Sequence, residues 1–309
     1  MTTALVHIAL LAYAGAAGCY LAWLVKPDGR FVSVGRVLLF AGLLSHLGSL
    51  GLGLSQASPP GTGYPALGFG IASWKGGQLF SLLAAVTVAG YLALDLKYRL
   101  PVAGAFVGPI TVAVMVPAHL VAGGQRFVNP ELVHSAALAV HVLSSSVGTA
   151  ALALAFGLSL VYLFSESQLK NKHPGRLFAR LPSLELIDRV GWKLVICGFI
   201  CLSLAIATGS LVSREATGAI FIFAPKQGFA LLAWALLATL IQARLVAGWR
   251  GRRVAMLVIT GFLLLAGAYA AMLSAAPTRQ AVVSMSLGGA ASRKPQAASP
   301  LLVTEEPRS

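Results

Sequence analysis

The chain has 309 residues, of which 57% are apolar and only 10% are charged, against roughly 25% charged in soluble domains, so an ordinary water-soluble globule is excluded. The formal net charge of +14 does not mark a nucleic-acid partner, because the basic residues lie between apolar blocks, where they report which loops stay in the cytoplasm. Cys19, Cys197 and Cys201 all fall inside apolar segments, which argues against a disulfide framework of the secreted kind.

A membrane-crossing helix takes about 20 mostly apolar residues. Eight stretches meet that requirement: 4–25, 36–54, 74–95, 101–122, 138–164, 191–213, 228–249 and 254–275. The expected fold is therefore all-α, a polytopic membrane protein of about eight transmembrane helices. No basic residue precedes the first run and Lys26 follows it, so it reads as a retained span and not as a cleaved signal. With the N-terminus outside, fifteen Lys and Arg fall on the inner side, around 26–36, 97–99, 170–193 and 244–253. Only Lys75, Arg126, Arg214 and Lys226 fall outside before the tail. Both termini are accordingly expected outside, in a bacterial inner (plasma) membrane.

The organisation reads as an N-terminal four-helix membrane half at 1–132, a second membrane half at 133–276 and a disordered outer tail at 277–309, rich in Ala, Ser, Gly and Pro. The segment 165–190 is the sizeable cytoplasmic stretch. Within it Leu181, Leu184, Leu186 and Ile187 beside Glu185, Asp188 and Arg189 predict a short interfacial helix.

An ionisable side chain in lipid is costly and points to function by default. Asp95, close to Lys97 and Arg99, reads instead as an interfacial residue that snorkels. His46 lies ten residues beyond Arg36, which at 1.5 Å per residue places it near the middle of the bilayer. A neutral imidazole there can donate one interhelical hydrogen bond and keep its second nitrogen for a metal or a proton. The plainer reading is a histidine that ties two helices together. Counting about 20 residues back from Phe164 places His141 at the outer interface. His134 is seven residues earlier on nearly the same face, and His119 ends the fourth span at a similar level.

Three imidazoles at one membrane face can line a site for a planar metal cofactor such as haem, whose iron accepts axial histidines; the alternative is that they are simply interfacial. His7 shares the ambiguity, and His173 falls in the basic inner loop. No carboxylate pairs with these histidines inside the spans, which argues against a proton-pumping relay. No Ser/His/Asp or His-Glu-x-x-His arrangement is present, and nothing reads as catalytic. Cys197 and Cys201, four apart on one helix face, read as packing residues.

From His141 onward the chain resembles the cytochrome c assembly family, the polytopic haem-handling proteins of the CcsA and HemX type. The resemblance starts at His141-Val-Leu-Ser-Ser-Ser and runs through Tyr162-Leu-Phe, Leu169-Lys170 and Leu181-Pro182-Ser183-Leu184-Glu185. It continues through Gly198-Phe199 and Thr208-Gly209. The family's outer tryptophan-rich motif aligns without a gap on 215–229, where Glu215, Ala216, Gly218, Pro225 and Lys226 match, and Trp234 falls where a later family tryptophan is expected. Gly248-Trp249-Arg250-Gly251-Arg252-Arg253 and Gly261-Phe262 resemble the last two spans. His46 and Leu67-Gly68-Phe69-Gly70 carry a weaker likeness in the first half.

The departures are specific. Thr217, Phe221, Phe223 and Phe229 stand in place of family tryptophans, Ala224 and Gln227 replace the acidic pair, Ile220 replaces a tyrosine, and no histidine follows His173. The aromatic shelf is partly kept but loses its hydrogen-bonding tips.

The resemblance implies a non-enzymatic haem-handling protein of cytochrome c assembly. It assigns His141 to an outer haem-ligand position and His46 to a transmembrane one, the two metal ligands. His119 or His134 is left to substitute for the missing second outer ligand. Phe221, Phe223 and Phe229 would form the outer platform, with Lys226 beside a propionate and Trp234 also counted among the haem-binding residues. Expected partners are haem, the lipid bilayer, and a second assembly subunit or apocytochrome c. The rival expectation is a HemX-like membrane regulator of haem biosynthesis that transports nothing.

Overall fold

The computed structural model of the chain describes residues 2–57, 76–120, 136–170, 181–218 and 225–274. Eight helices run through them: α1 (Thr2–Val25), α2 (Gly29–Ala57), α3 (Gly76–Tyr98), α4 (Pro101–Leu120), α5 (Ala136–Lys170), α6 (Leu184–Thr217), α7 (Pro225–Val246) and α8 (Arg252–Ser274). Seven are long and apolar enough to cross a membrane, and α4 is apolar over Pro101–Val116. Each of the eight expected spans corresponds to one of these helices, 228–249 running three residues past the end of α7. Contacts gather Met1–Tyr269 into one compact unit and Ala270–Ser309 into a second, of which 270–274 are described, as the end of α8.

Short connections at 26–28, 99–100 and 247–251 force antiparallel neighbours. These connections and the helix ends that they pair carry nine of the chain's 23 Lys and Arg. α2 starts seven residues earlier than its apolar run, because the Asp28 carboxylate accepts from the Arg30 backbone N–H at 2.9 Å and caps a charged first turn.

One buried cluster gathers Tyr13, Tyr20, Leu39, Val88, Met115 and Leu154, from α1 to α5. A second joins Leu152 of α5 to Val195, Leu237, Val258 and Leu265 of α6, α7 and α8. α5 belongs to both, and its residues 148–155 are buried without interruption, as expected of a helix enclosed on all sides. α5 and α6 approach closely where Gly148 and Gly198 face each other: a Cβ on either would lie 3.2–3.3 Å from the other's carbonyl oxygen. Small residues permit that backbone approach between membrane helices. Large apolar side chains such as Leu11, Leu44 and Ile200 point outward, where hydrocarbon surrounds them.

Two local expectations change. The interfacial helix at 181–189 is not separate: Ser183 caps α6, its hydroxyl accepting from the Leu186 N–H at 3.3 Å, and the helix continues without a break to Thr217. Ile187 and Val190 are buried in the first cluster, so tertiary packing extends the sixth span inward. At about 1.5 Å per residue, α5 and α6 both exceed the roughly 30 Å hydrocarbon thickness and project from it.

Asp95 does not snorkel to the interface either. It is 1% exposed and receives the Arg36 Nε–H at 2.6 Å, so the cation that satisfies it comes from α2 and not from water. Among the described residues, its Oδ1 and the buried hydroxyls of Tyr20 and Tyr91 beside this pair have no hydrogen-bond partner.

Candidate haem-ligand histidines

His46 is fully buried on α2. Its Nε2 lies 2.5 Å from the Ser81 hydroxyl on α3, and its Nδ1 lies 3.2 Å from the Tyr13 hydroxyl on α1. Both ring nitrogens are thus engaged, whichever carries the proton. This differs from the expectation of one hydrogen bond and one spare nitrogen. The reason is that α1 and α3 each present a hydroxyl at the imidazole's level. The Tyr13 ring also packs on it, 5.8 Å between centroids.

His141 sits in the second turn of α5 and is partly buried. Its Nδ1–H donates to the Ala205 carbonyl of α6 at 2.7 Å. Ala205 is one turn from Gly209, where an added Cβ would lie 2.8 Å from the ring's Cε1. A carbonyl can only accept, so this bond places a proton on Nδ1, and in the neutral ring the lone pair is then on Nε2. Metal-ligating histidines characteristically donate their other ring nitrogen in this way. The Ala205 carbonyl that receives this bond lies four residues before Gly209, and α6 continues its helical run across both.

His46 and His141 each lie within one helical turn, along their own helices, of a residue of one apolar cluster. Leu50, one turn beyond His46, packs with Ala85, Leu138 and Val142, and Val142 adjoins His141. Trp234 on α7 is held by two contacts with α6: its Nε1–H donates to the Ser203 hydroxyl at 2.8 Å, and its ring stacks on Phe199 at 5.6 Å and 20°. It therefore serves the α6–α7 seam. The side chains of His119 and Lys226, and residues His134, Phe221 and Phe223, lie outside the described residues. Among the described residues, no cluster of three or more His, Cys, Asp or Glu is placed to hold a metal ion.

A group bound by one or two axial imidazoles needs no such cluster. His141 donates through Nδ1 as a ligating histidine would. His46 would ligate only if Ser81 or Tyr13 releases the ring.

Sequence reasoning singled out the two histidines and missed Tyr13, Ser81, Ala205 and Ser203. The hydroxyls carried a signal, as polar residues inside spans; a main-chain carbonyl carries none.

Of the four ion pairs among the described residues, two are interhelical, Arg36–Asp95 and Arg244–Asp188. Arg244 of α7 grips Asp188 of α6 with both terminal nitrogens, at 2.9 and 2.7 Å, and its guanidinium lies over the Trp192 ring, 4.5 Å from the centroid. The planar fork satisfies the carboxylate and the aromatic face together.

The profile of the family described as "Cytochrome C assembly protein" matches residues 73–274, from the approach to α3 to the end of α8. The chain is 36% identical over 83 residues to the cytochrome c biogenesis protein CcsA of Nostoc punctiforme, covering 27% of this chain and 24% of that protein. It is 26% identical over 208 residues to CcsA of Prochlorococcus marinus, covering 60% and 67%. The matched stretch thus spans about a quarter of the first of these relatives and two thirds of the second. With the family profile covering well over half of its residues, this multi-pass membrane chain belongs to the cytochrome c assembly protein family.

Proposed function

We propose that the protein handles haem for cytochrome c biogenesis in a bacterial inner membrane, without itself being an enzyme. It would bind haem through His141 and make it available at the outer face to apocytochrome c, alone or with a second assembly subunit. Family membership supports the general role. The observation that carries the specific one is the hydrogen bond from His141 Nδ1 to the Ala205 carbonyl, which prepares Nε2 as the ligating atom. Axial imidazole ligation leaves the vinyl groups of haem open for attachment elsewhere.

The chain's own part is orientation and exclusion of water. α6 fixes the His141 ring from one side, and the Leu50, Ala85, Leu138 and Val142 cluster keeps the adjoining volume apolar. His46 would act as a second, inner ligand after the Ser81 or the Tyr13 hydroxyl turns away. Lys226, Phe221 and Phe223 are assigned the outer platform by family likeness alone.

The test is the haem content of the full chain purified after expression with ample haem. Near-stoichiometric haem that falls at least five-fold in His141→Ala supports the proposal. A colourless wild type that cannot be reconstituted overturns it.

The second reading, a HemX-like regulator of haem biosynthesis without transport, is favoured by one observation, the complete engagement of His46 in hydrogen bonds. It predicts capture of a soluble haem-biosynthesis enzyme by the inner 165–190 segment.

A further inference from the structure

The turn joining α7 to α8 carries more positive charge than its contacts use. Arg250, Arg252 and Arg253 fall within four residues, and among the described residues none of them forms an ion pair. Arg253 instead lies over the Trp249 ring, 5.7 Å from its centroid. These residues line one side of a cavity of about 730 Å³ whose other side is the end of α5, with Tyr162, Glu166 and Lys170. Lys170 and Glu166 neutralise each other at 2.8 Å, so the described lining residues keep a surplus of three positive charges, all arginine.

The turn is shaped for this by Gly248 and Gly251, both with positive φ (66° and 72°), a conformation open to glycine without strain. Tyr162 approaches Gly251 so closely that a Cβ there would lie 2.8 Å from its hydroxyl, which brings the α5 wall against the turn. Arg252 opens the 23-residue α8, so the helix's first N–H groups add to the same field.

The cavity also has an apolar outlet. Met256 forms part of its lining and is 51% exposed, and Leu263, seven residues on and on the same face of α8, is 57% exposed. A phosphate-bearing headgroup among the arginines would thus continue into hydrocarbon along α8. Trp249 and Tyr162 stand where aromatic side chains meet the headgroup layer.

We propose that this cavity binds the headgroup of an anionic phospholipid, with its acyl chain laid along Met256 and Leu263. The planar arginine forks suit a phosphodiester better than lysine would, and basic pockets between helices on the cytoplasmic side are suited to such headgroups. The site is independent of the haem-ligand assignment.

The test uses the full chain in neutral detergent, titrated with dioleoyl phosphatidylglycerol or dioleoyl phosphatidylcholine and read by native mass spectrometry. At least ten-fold tighter retention of the phosphatidylglycerol is expected, reduced to less than three-fold in the triple variant R250Q/R252Q/R253Q. Because those arginines also belong to the topology code, Met256→Asp provides a second variant that removes no basic residue. It is expected to lose at least five-fold in phosphatidylglycerol retention. Equal retention of the two lipids, or an unchanged preference in Met256→Asp, overturns the proposal. Displacement of the lipid by millimolar inorganic phosphate also overturns it, by showing a free-anion site in its place.

Discussion

His141 and Gly209 occupy adjoining space that admits no side chain between them: a Cβ built on Gly209 would lie 2.8 Å from Cε1 and 2.9 Å from Nδ1 of the ring. One helix turn earlier, the Ala205 carbonyl receives the Nδ1 proton. α6 therefore sets both the position and the tautomer of the histidine on α5. Gly209→Ala is expected to push the imidazole off that carbonyl and to lower haem retention about ten-fold. Thermal unfolding in detergent should stay within a few degrees of the wild type, because the helix interior gains a better helix former. A full haem complement in Gly209→Ala would separate the two residues functionally.

The Arg36–Asp95 pair predicts a stability effect of the opposite kind. Arg36→Ala leaves a carboxylate that is 1% exposed without its cation; because the arginine is itself 33% exposed, the expected cost is about 2 kcal/mol, below that of breaking a fully buried pair. The double variant Arg36→Met with Asp95→Leu is expected to recover most of that loss, since well-packed apolar replacements of buried pairs are often neutral. Unfolding midpoints of the two variants, compared in one detergent, check the sign.

Trp234 tests the α6–α7 seam. Trp234→Phe keeps the stack on Phe199 and removes the donor to Ser203, an expected loss of about 1 kcal/mol. Ser203→Ala should cost a similar amount, and the double variant no more than either single one, because both changes delete the same bond. Losses that simply add would show that the 2.8 Å contact contributes little.

Arg244→Lys keeps the charge but loses the two-point grip on Asp188 and the stacking over Trp192. The expected cost is about 1–2 kcal/mol, read as a lower unfolding midpoint that added salt does not restore. Equal stability of the wild type and Arg244→Lys in the same detergent would reduce the contact to a simple charge pair.

The eight spans were legible because a membrane segment declares itself by composition over 20 residues, and each corresponds to one helix of the bundle. The less legible features depend on partners distant in sequence. Asp95 looked interfacial because Lys97 and Arg99 are its chain neighbours, yet its partner Arg36 is 59 residues away. The segment around Ile187 looked like a surface helix because its charges are local, while the burial of Ile187 and Val190 comes from other helices. His46 stood out as an intramembrane histidine, but the hydroxyls that occupy both its nitrogens lie 33 and 35 residues off. For His141 the informative neighbour is a main-chain carbonyl, which no residue pattern encodes. The resemblance had already singled out Thr208-Gly209, and the structure supplies the reason: the glycine leaves room for the ring.

Ligation of haem by His141 through Nε2 is the step on which the proposed function stands. It is tested by the visible absorption spectrum of purified His141→Gly, recorded with and without added imidazole, which can occupy the vacated ring's place. His141→Gly is expected to lose at least four fifths of the wild-type Soret band, and millimolar imidazole to restore most of it. A Soret band of wild-type intensity and position in His141→Gly without imidazole would show that another residue holds the iron.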